Sequence, residues 1–122
     1  MAKSIHPLLG KGAFTINGSL WMEKNGQRFF GPGPVELMEL IEETGSINQA
    51  AKKMKMSYKK AWEIITTLNE QADHPFVITQ TGGPKGGGSV ISGEARELIA
   101  SYRLLRERFK KFLGKETEKM DR

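Results

Sequence analysis

The sequence predicts an α+β fold: a winged helix-turn-helix with an N-terminal β-hairpin and a long C-terminal dimerisation helix. Ser46 and Ser57 each stand just before an apolar-periodic run, as helix N-caps do. A glycine-rich stretch at 81–89 lies between two short β-branched runs, a pattern typical of a wing. The dipeptide Asn25-Gly26 is a strong signal for a two-residue hairpin turn, because both turn positions need positive φ.

The composition predicts one soluble domain. The chain has 122 residues, 38% hydrophobic and 27% charged, which suits a single domain that folds. It has no cysteine, so disulfides and thiolate chemistry are excluded. The first residues lack an apolar core of signal-peptide length, and no run approaches the ~18 apolar residues of a membrane span. We therefore expect a cytoplasmic protein with no membrane partner.

Turn and capping signals divide the chain into three parts. These are a loose leader over 1–12, the winged helix-turn-helix domain over 13–113 and a polar tail over 114–122. Within the domain, strands are expected at 13–16, 20–24 and 27–30, followed by a first helix from about Pro34 to Thr44 with Gly45 at C′.

Two further helices complete the helix-turn-helix. Ser46 caps the second helix, and Gln49 completes an S-x-x-Q capping box with it. After a tight connection at Lys55 and Met56, Ser57 caps the third helix. The wing follows, with strands on either side of the glycine-rich loop, and the last helix is expected from Gly93 to about residue 113.

Charge is segregated between these helices. Five lysines fall within nine residues, and the preceding segment 33–44 has four glutamates and no base. In a helix-turn-helix the N-terminal end of the second helix enters the major groove, where its free N–H groups and dipole favour phosphate. Together with a net charge of +5, this clustering predicts double-stranded DNA as partner. The expected DNA-binding residues are Gln49, Lys52, Lys53, Ser57, Tyr58, Lys59, Lys60 and, at the wing tip, Lys85.

The glycine-rich loop does not fit a nucleotide-binding loop. Counting from Gly82, the phosphate-loop pattern requires lysine after the second glycine, where this chain has Gly88. The last helix carries an a/d heptad seam, which predicts a homodimer, although the seam can also pack on its own domain. The expected interface residues are Leu98, Tyr102, Leu105, Phe109 and Phe112.

Catalysis finds little support in the sequence. The histidines are His6 in the leader and His74 in a loop before proline, and neither belongs to a metal-ligand cluster or a nucleophile motif. We therefore expect no enzyme activity, no metal and no cofactor.

Three motifs together resemble a known family. They are SINQAAK at 46–52, MSYKKAW at 56–62 and TGGPKGGG at 81–88. Residues 13–113 resemble the N-terminal DNA-binding domain of the molybdenum-dependent ModE regulators and, more distantly, the LysR-type winged helix. The resemblance implies dimerisation through the terminal helix and DNA reading by the third helix and wing. The C-terminal molybdate-binding domains of that family have no counterpart here, so we expect no molybdate site and consider a separate effector-binding protein as a partner.

Two other functions remain open on the sequence. Winged helices also serve as protein-docking modules, and the first helix is acidic. A non-specific architectural DNA binder would have the same basic cluster without a sequence preference.

Overall fold

The computed structural model describes residues 6–80 and 88–121. The α+β architecture predicted from the sequence, compatible with a winged helix, is confirmed. In chain order the elements are α1 (His6–Leu9), β1 (Met22–Lys24), β2 (Gln27–Phe30), α2 (Pro32–Thr44), α3 (Ile47–Lys53), α4 (Tyr58–Glu70), β3 (Val77–Gln80), β4 (Gly88–Ile91) and α5 (Gly93–Asp121).

One hydrophobic core joins all the larger elements. Its centre is the stripe of α2, packed against the small residues Ala50 and Ala51 of α3 and Ala61 of α4. Because these side chains are small, the helices can approach one another closely. Around them lie the apolar residues Phe30, Leu37, Met38, Ile41, Ile65, Leu68, Val77, Ile91, Ala95, Ile99 and Tyr102.

The N-terminal hairpin forms with the predicted turn. Asn25 and Gly26 have φ of 54° and 77°, and Lys24 pairs with Gln27 across them. The strand expected at 20–24 begins only at Met22, and the strand expected at 13–16 is wrong. Residues 13–20 have no strand beside them in the described structure. They run along α5 instead, where the Ile16 N–H donates to Thr117 Oγ1 at 3.0 Å.

The helix-turn-helix follows its caps closely. Gly45 adopts the left-handed conformation after α2, and its N–H donates to the Ile41 carbonyl at 2.7 Å. Ser46 Oγ accepts from the Gln49 N–H at 3.1 Å, which confirms the cap of α3. The reciprocal arm of the capping box is not made, because the Ser46 N–H donates to Thr44 Oγ1 instead. Lys55, with φ of 57°, turns the chain into α4.

The wing strands pair antiparallel and are attached to the helices at two points. Val77 pairs with Ile91, and the Ser89 N–H donates to the Gly45 carbonyl at 2.9 Å. Asn69 near the end of α4 forms the second attachment. Its Oδ1 accepts from the N–H groups of Phe76 and Val77, and its Nδ2 donates to the Val77 carbonyl. Both attachments hold the wing base in a defined position beside α3 and α4.

Substitution of Asn69 should loosen the wing. Asn69→Ala leaves two partly buried N–H groups and one carbonyl without their partner, so we expect the free energy of unfolding to fall by about 1–3 kcal/mol. Asn69→Asp keeps the acceptor oxygen and should lose less. Urea denaturation measures both variants, and equal stability of Asn69→Ala and wild type would contradict this role.

The C-terminal helix extends beyond its expected end. Residues 114–121 of the expected polar tail are helical, so α5 runs to Asp121 rather than stopping near residue 113. Thr117 explains part of the difference, since its hydroxyl donates to the Leu113 carbonyl and accepts from Ile16. The segment before the hairpin therefore accompanies α5 past the end of the core.

Candidate nucleic-acid interface

The first turn of α4 presents the predicted reading residues to solvent. Ser57 Oγ accepts from the Lys60 N–H at 3.0 Å and so fixes the start of the helix. Tyr58, Lys59 and Lys60 are all exposed, and the turn contains no acidic residue. Among the residues that the structure describes, neither lysine forms an ion pair. The helix dipole and the two exposed ammonium groups make this end attractive to phosphate.

Tyr58 is held in place by Trp62. Their rings meet edge to face, with centroids 5.9 Å apart and an interplanar angle of 80°. Trp62 is half-buried and packs against the core, whereas Tyr58 is 50% exposed, as expected for a contact residue supported from behind. Such a pair orients the phenol at little further entropy cost.

A cleft separates α4 from the base of the wing. Tyr58 and Trp62 line one wall, and the other walls come from the start of α3 and the wing strands. The cleft also has the polar lining residues Asn48, Thr79 and Gln80, which were not predicted because they carry no charge. Strand alternation places the adjacent residues Thr79 and Gln80 on opposite faces of β3, and Asn48 lies on α3, so no local pattern predicts that the three line one cleft.

The predicted lysines of α3 differ in their surroundings. Lys52 is exposed, and so is the side chain of Gln49. Lys53 Nζ lies 3.4 Å from Glu43 Oε1 of α2, and both side chains are about half exposed. Surface pairs of this kind contribute little to stability, so a phosphate can replace the carboxylate at small cost. Lys85 lies outside the described residues.

The acidic face of α2 has partners within the chain. Besides the Glu43 pair, Glu42 Oε1 accepts from Arg96 Nε at 2.6 Å, and Glu39 pairs with Arg103. Three of the four glutamates of α2 therefore face bases of α3 and α5. The charge segregation seen in the sequence has a structural cause, because these acids are arranged against bases elsewhere in the chain rather than displayed alone.

The predicted dimer seam divides into two faces. Tyr102 is 1% exposed, and the centroid of its ring lies 5.5 Å from the centroid of the Phe30 ring. Its hydroxyl donates a hydrogen bond to the Leu20 carbonyl at 3.0 Å. Phe109 is half-buried against Gly18, where a Cβ would lie 3.0 Å from the ring. Both residues thus pack within their own chain. On the neighbouring face, Leu105 and Phe112 are 39% and 56% exposed, and Leu98 is partly buried.

The heptad spacing explains this division. On a straight helix of 3.6 residues per turn, positions seven apart drift by about 20° per heptad. Leu98, Leu105 and Phe112 each lie three positions, or about 60°, from Ala95, Tyr102 and Phe109 respectively, so the drift carries them further from the side that meets the core. In the segments 6–80 and 88–121 there is no cluster of metal-ligating side chains, and no described helix is long and apolar enough to cross a membrane.

Comparison with known proteins gives consistent matches to one group. The chain is 39% identical over 87 residues to the molybdenum transport protein ModE of Azotobacter vinelandii, covering 71% of this chain and 32% of that protein. It is 42% identical over 77 residues to the transcriptional regulator ModE of Haemophilus influenzae, covering 63% and 30%. The matched segment therefore resembles the ModE proteins. No protein-family model matches the chain.

A third ModE protein extends the comparison. The DNA-binding transcriptional dual regulator ModE of Escherichia coli is 40% identical over 77 residues, covering 63% of this chain and 29% of that protein. The chain thus spans about a third of the length of these ModE relatives. The family resemblance read from the three sequence motifs is confirmed.

Proposed function

We propose that this chain is a sequence-specific, DNA-binding transcription regulator that acts as a homodimer on a pseudo-palindromic operator. The observation that carries the proposal is the first turn of α4, capped by Ser57, free of acids and presenting Tyr58, Lys59 and Lys60 beside a firmly attached wing. A helix start of this kind fits the major groove of B-DNA.

Each predicted residue has a role in this proposal. Lys59 and Lys60 contact guanine edges or phosphates, and Ser57 and Tyr58 donate hydrogen bonds to phosphate or base edges. Lys85 approaches DNA from the wing. In α3, Gln49, Lys52 and Lys53 contact the phosphate backbone, which fixes orientation without reading sequence.

The dimer proposal rests on the exposed face of α5. Leu98, Leu105 and Phe112 follow one another at seven-residue steps, and Leu105 and Phe112 are exposed in the single chain. Two such helices related by a two-fold axis would bury this face and place two recognition helices about 34 Å apart, one turn of DNA. Tyr102 and Phe109 support α5 from within and leave the contact to the other three.

The names of the relatives point to molybdenum as the biological context. Two are called molybdenum transport proteins and others transcriptional regulators. We propose that the regulated genes concern molybdate transport or metabolism. No cofactor is assigned to this chain, and a separate effector-binding protein is one candidate partner.

A docking module is the second candidate, and one observation counts against it. The acidic face of α2 motivated that function, but three of its glutamates already pair with bases of the same chain. A non-specific architectural binder remains the alternative within DNA binding.

Fluorescence anisotropy tests the proposal directly. The duplexes come from upstream of the chain's own gene and of neighbouring molybdate-transport genes, with a scrambled duplex as control, at two salt concentrations. We expect a preference of about 10³-fold or more for one site over scrambled DNA. Equal and steeply salt-dependent binding would indicate an architectural binder, and no binding at low salt would favour the docking module.

Glutamate substitutions on α5 test the proposed dimer face. Leu105→Glu combined with Phe112→Glu places two charges on the proposed contact, so we expect analytical ultracentrifugation to show monomers where wild type shows dimers. Leu104→Glu is the control, because Leu104 is 55% exposed yet lies about 100° around the helix from Leu105. A monomeric wild type, or equal disruption by Leu104→Glu, would contradict the proposed interface.

A further inference from the structure

The N-terminal hairpin lies along α4 on the side opposite the wing. At the C-terminal end of α4, Lys24 Nζ donates to the Gln71 carbonyl at 3.0 Å, and Gln71 Nε2 donates to Gln27 Oε1 at 3.2 Å. Nearer the start of α4, Arg28 lines one groove together with Lys60. Tyr58 and Trp62 line the cleft on the wing side instead. The recognition helix is therefore flanked by a protein element on each side.

Arg28 is an exposed cation that the fold holds in position. Its guanidinium carbon lies 5.6 Å from the centroid of the Trp21 ring, in a cation–π contact. Trp21 in turn packs directly on Gly31, where a Cβ would come within 2.6 Å of the ring. Only glycine allows this approach, so the indole and the guanidinium above it have a defined place beside α4.

The charges of this groove are positive on balance. Arg28 and Lys60 are the bases of this groove, and Glu63 of α4 is its acid. Within the described part of the chain, Arg28 makes no ion pair with Glu63 or with any other carboxylate. Its guanidinium therefore keeps its donors available to an anion while it rests on the indole.

The phosphates of a DNA duplex are the anions that this groove would meet. A major groove about 12 Å wide admits a helix that is itself about 10–12 Å across with its side chains. The two phosphate strands then lie on either side of that helix, so elements that flank it face opposite strands. The wing flanks one side of α4, and the hairpin flanks the other.

We infer that Arg28 of the N-terminal hairpin is a further, sequence-independent phosphate contact, binding the DNA strand across the major groove from the wing. This inference rests on the proposed function, since it requires α4 to enter the groove. The planar guanidinium can donate two parallel hydrogen bonds to one phosphate, which lysine cannot. The contact would position the helix between two anchored strands and leave base reading to α4.

The test removes one hairpin charge at a time. Affinity for a scrambled duplex and for the preferred duplex is measured against salt concentration for wild type, Arg28→Gln and Lys24→Gln. Arg28→Gln should weaken binding to both duplexes by the same factor. It should also make the negative slope of log K against log salt shallower by about one per bound subunit. Lys24→Gln removes the same charge from the same hairpin at the far end of α4, and it should keep the wild-type slope. Arg28→Lys should also keep the slope while losing part of the affinity.

The outcomes distinguish failure of the Arg28 contact from failure of the proposed DNA-binding function. DNA binding by wild type with an unchanged slope in Arg28→Gln overturns the Arg28 contact and leaves the regulator intact. An equal fall in Lys24→Gln also overturns it, because the effect would then be general charge rather than position. Failure of wild type to bind any duplex overturns both proposals together.

Discussion

Tyr102→Ala is expected to lower the free energy of unfolding by about 3–5 kcal/mol, the range for removing a large aromatic side chain from a core. The Tyr102 ring is 1% exposed and meets Phe30 edge to face. Its hydroxyl also ties α5 to the Leu20 carbonyl of the N-terminal segment. Urea denaturation, followed by circular dichroism, measures the change.

Tyr102→Phe is the matched control. It keeps the ring and removes only the hydrogen bond to Leu20, so it should cost about 1 kcal/mol. Burial raises the pKa of Tyr102 above its ordinary value, although the positive charge of Arg106 opposes the shift. The neutral hydroxyl therefore stabilises the fold fully below about pH 10, and this contribution is lost as pH rises through the higher pKa of the folded state. Stability of wild type should fall more steeply than that of Tyr102→Phe in this range.

Protein concentration distinguishes a core role from a dimer role. If Tyr102 acts within its own chain, the loss of stability in Tyr102→Ala is the same at every protein concentration. If Tyr102 were instead an interface residue, as the heptad pattern predicts, the loss would depend on concentration through the dimer equilibrium. The second result would contradict the burial of this side chain.

The double variant Lys59→Ala, Lys60→Ala should have the largest effect on DNA binding. Both side chains are exposed on the first turn of α4, where the helix dipole and the Ser57 cap favour an anion. Each lysine that contacts a guanine contributes about 1–3 kcal/mol of discrimination, and each phosphate contact contributes about one to the salt slope. We therefore expect each lysine that binds the operator to account for a difference in affinity of about 5-fold to about 160-fold between wild type and the variant. Anisotropy titrations at several salt concentrations measure affinity and slope together.

An adjacent pair of lysines elsewhere controls for charge alone. Lys110 and Lys111 are also neighbours on a helix and are exposed, but they lie on α5 away from the start of α4. Lys110→Ala, Lys111→Ala removes the same two charges and should reduce affinity far less. Similar losses of affinity in the two double variants would mean that net charge, rather than the recognition helix, governs binding.

The Tyr102 and the Lys59, Lys60 variants together test how the fold positions the proposed DNA-binding surface. Tyr102 keeps α5 on the core, and α5 carries the exposed stripe proposed to join two subunits. Lys59 and Lys60 lie on the helix proposed to enter the groove. A Tyr102 variant that folds but binds DNA weakly would indicate that the spacing of two recognition helices depends on how α5 is held.

Much of the fold could be predicted because its signals are local. Ser46 and Ser57 accept hydrogen bonds from the N–H groups of residues three positions on, Gly45 ends α2 in a left-handed conformation, and Asn25-Gly26 closes the hairpin. Each of these depends on a few consecutive residues whose backbone preferences are strong. The exposed first turn of α4 follows from the same signals, since the cap defines where the helix begins.

Errors arose where a short pattern had more than one possible partner. Residues 13–16 alternate like a strand, yet the Ile16 N–H finds Thr117 Oγ1 on α5 instead of a neighbouring strand. Residues 114–121 were expected to form a polar tail after the last helix, yet this stretch is helical, with Thr117 hydrogen-bonded to both Ile16 and Leu113. Ile16 and Thr117 are 101 positions apart in the chain, so no local pattern around either residue predicts that they meet.

The sequence by itself determined where α3, α4 and the hairpin turn begin, and which surface carries the exposed lysines. Long-range packing alone decided that Asn69 ties the wing to α4, that Trp21 and Gly31 hold Arg28 beside α4, and that the heptad seam divides between core and surface. The physical reason is the separation in sequence of the residues that interact. A cap or turn is stabilised by its own neighbours, whereas a side chain on a helix or hairpin becomes buried, bonded or exposed only through elements distant in sequence.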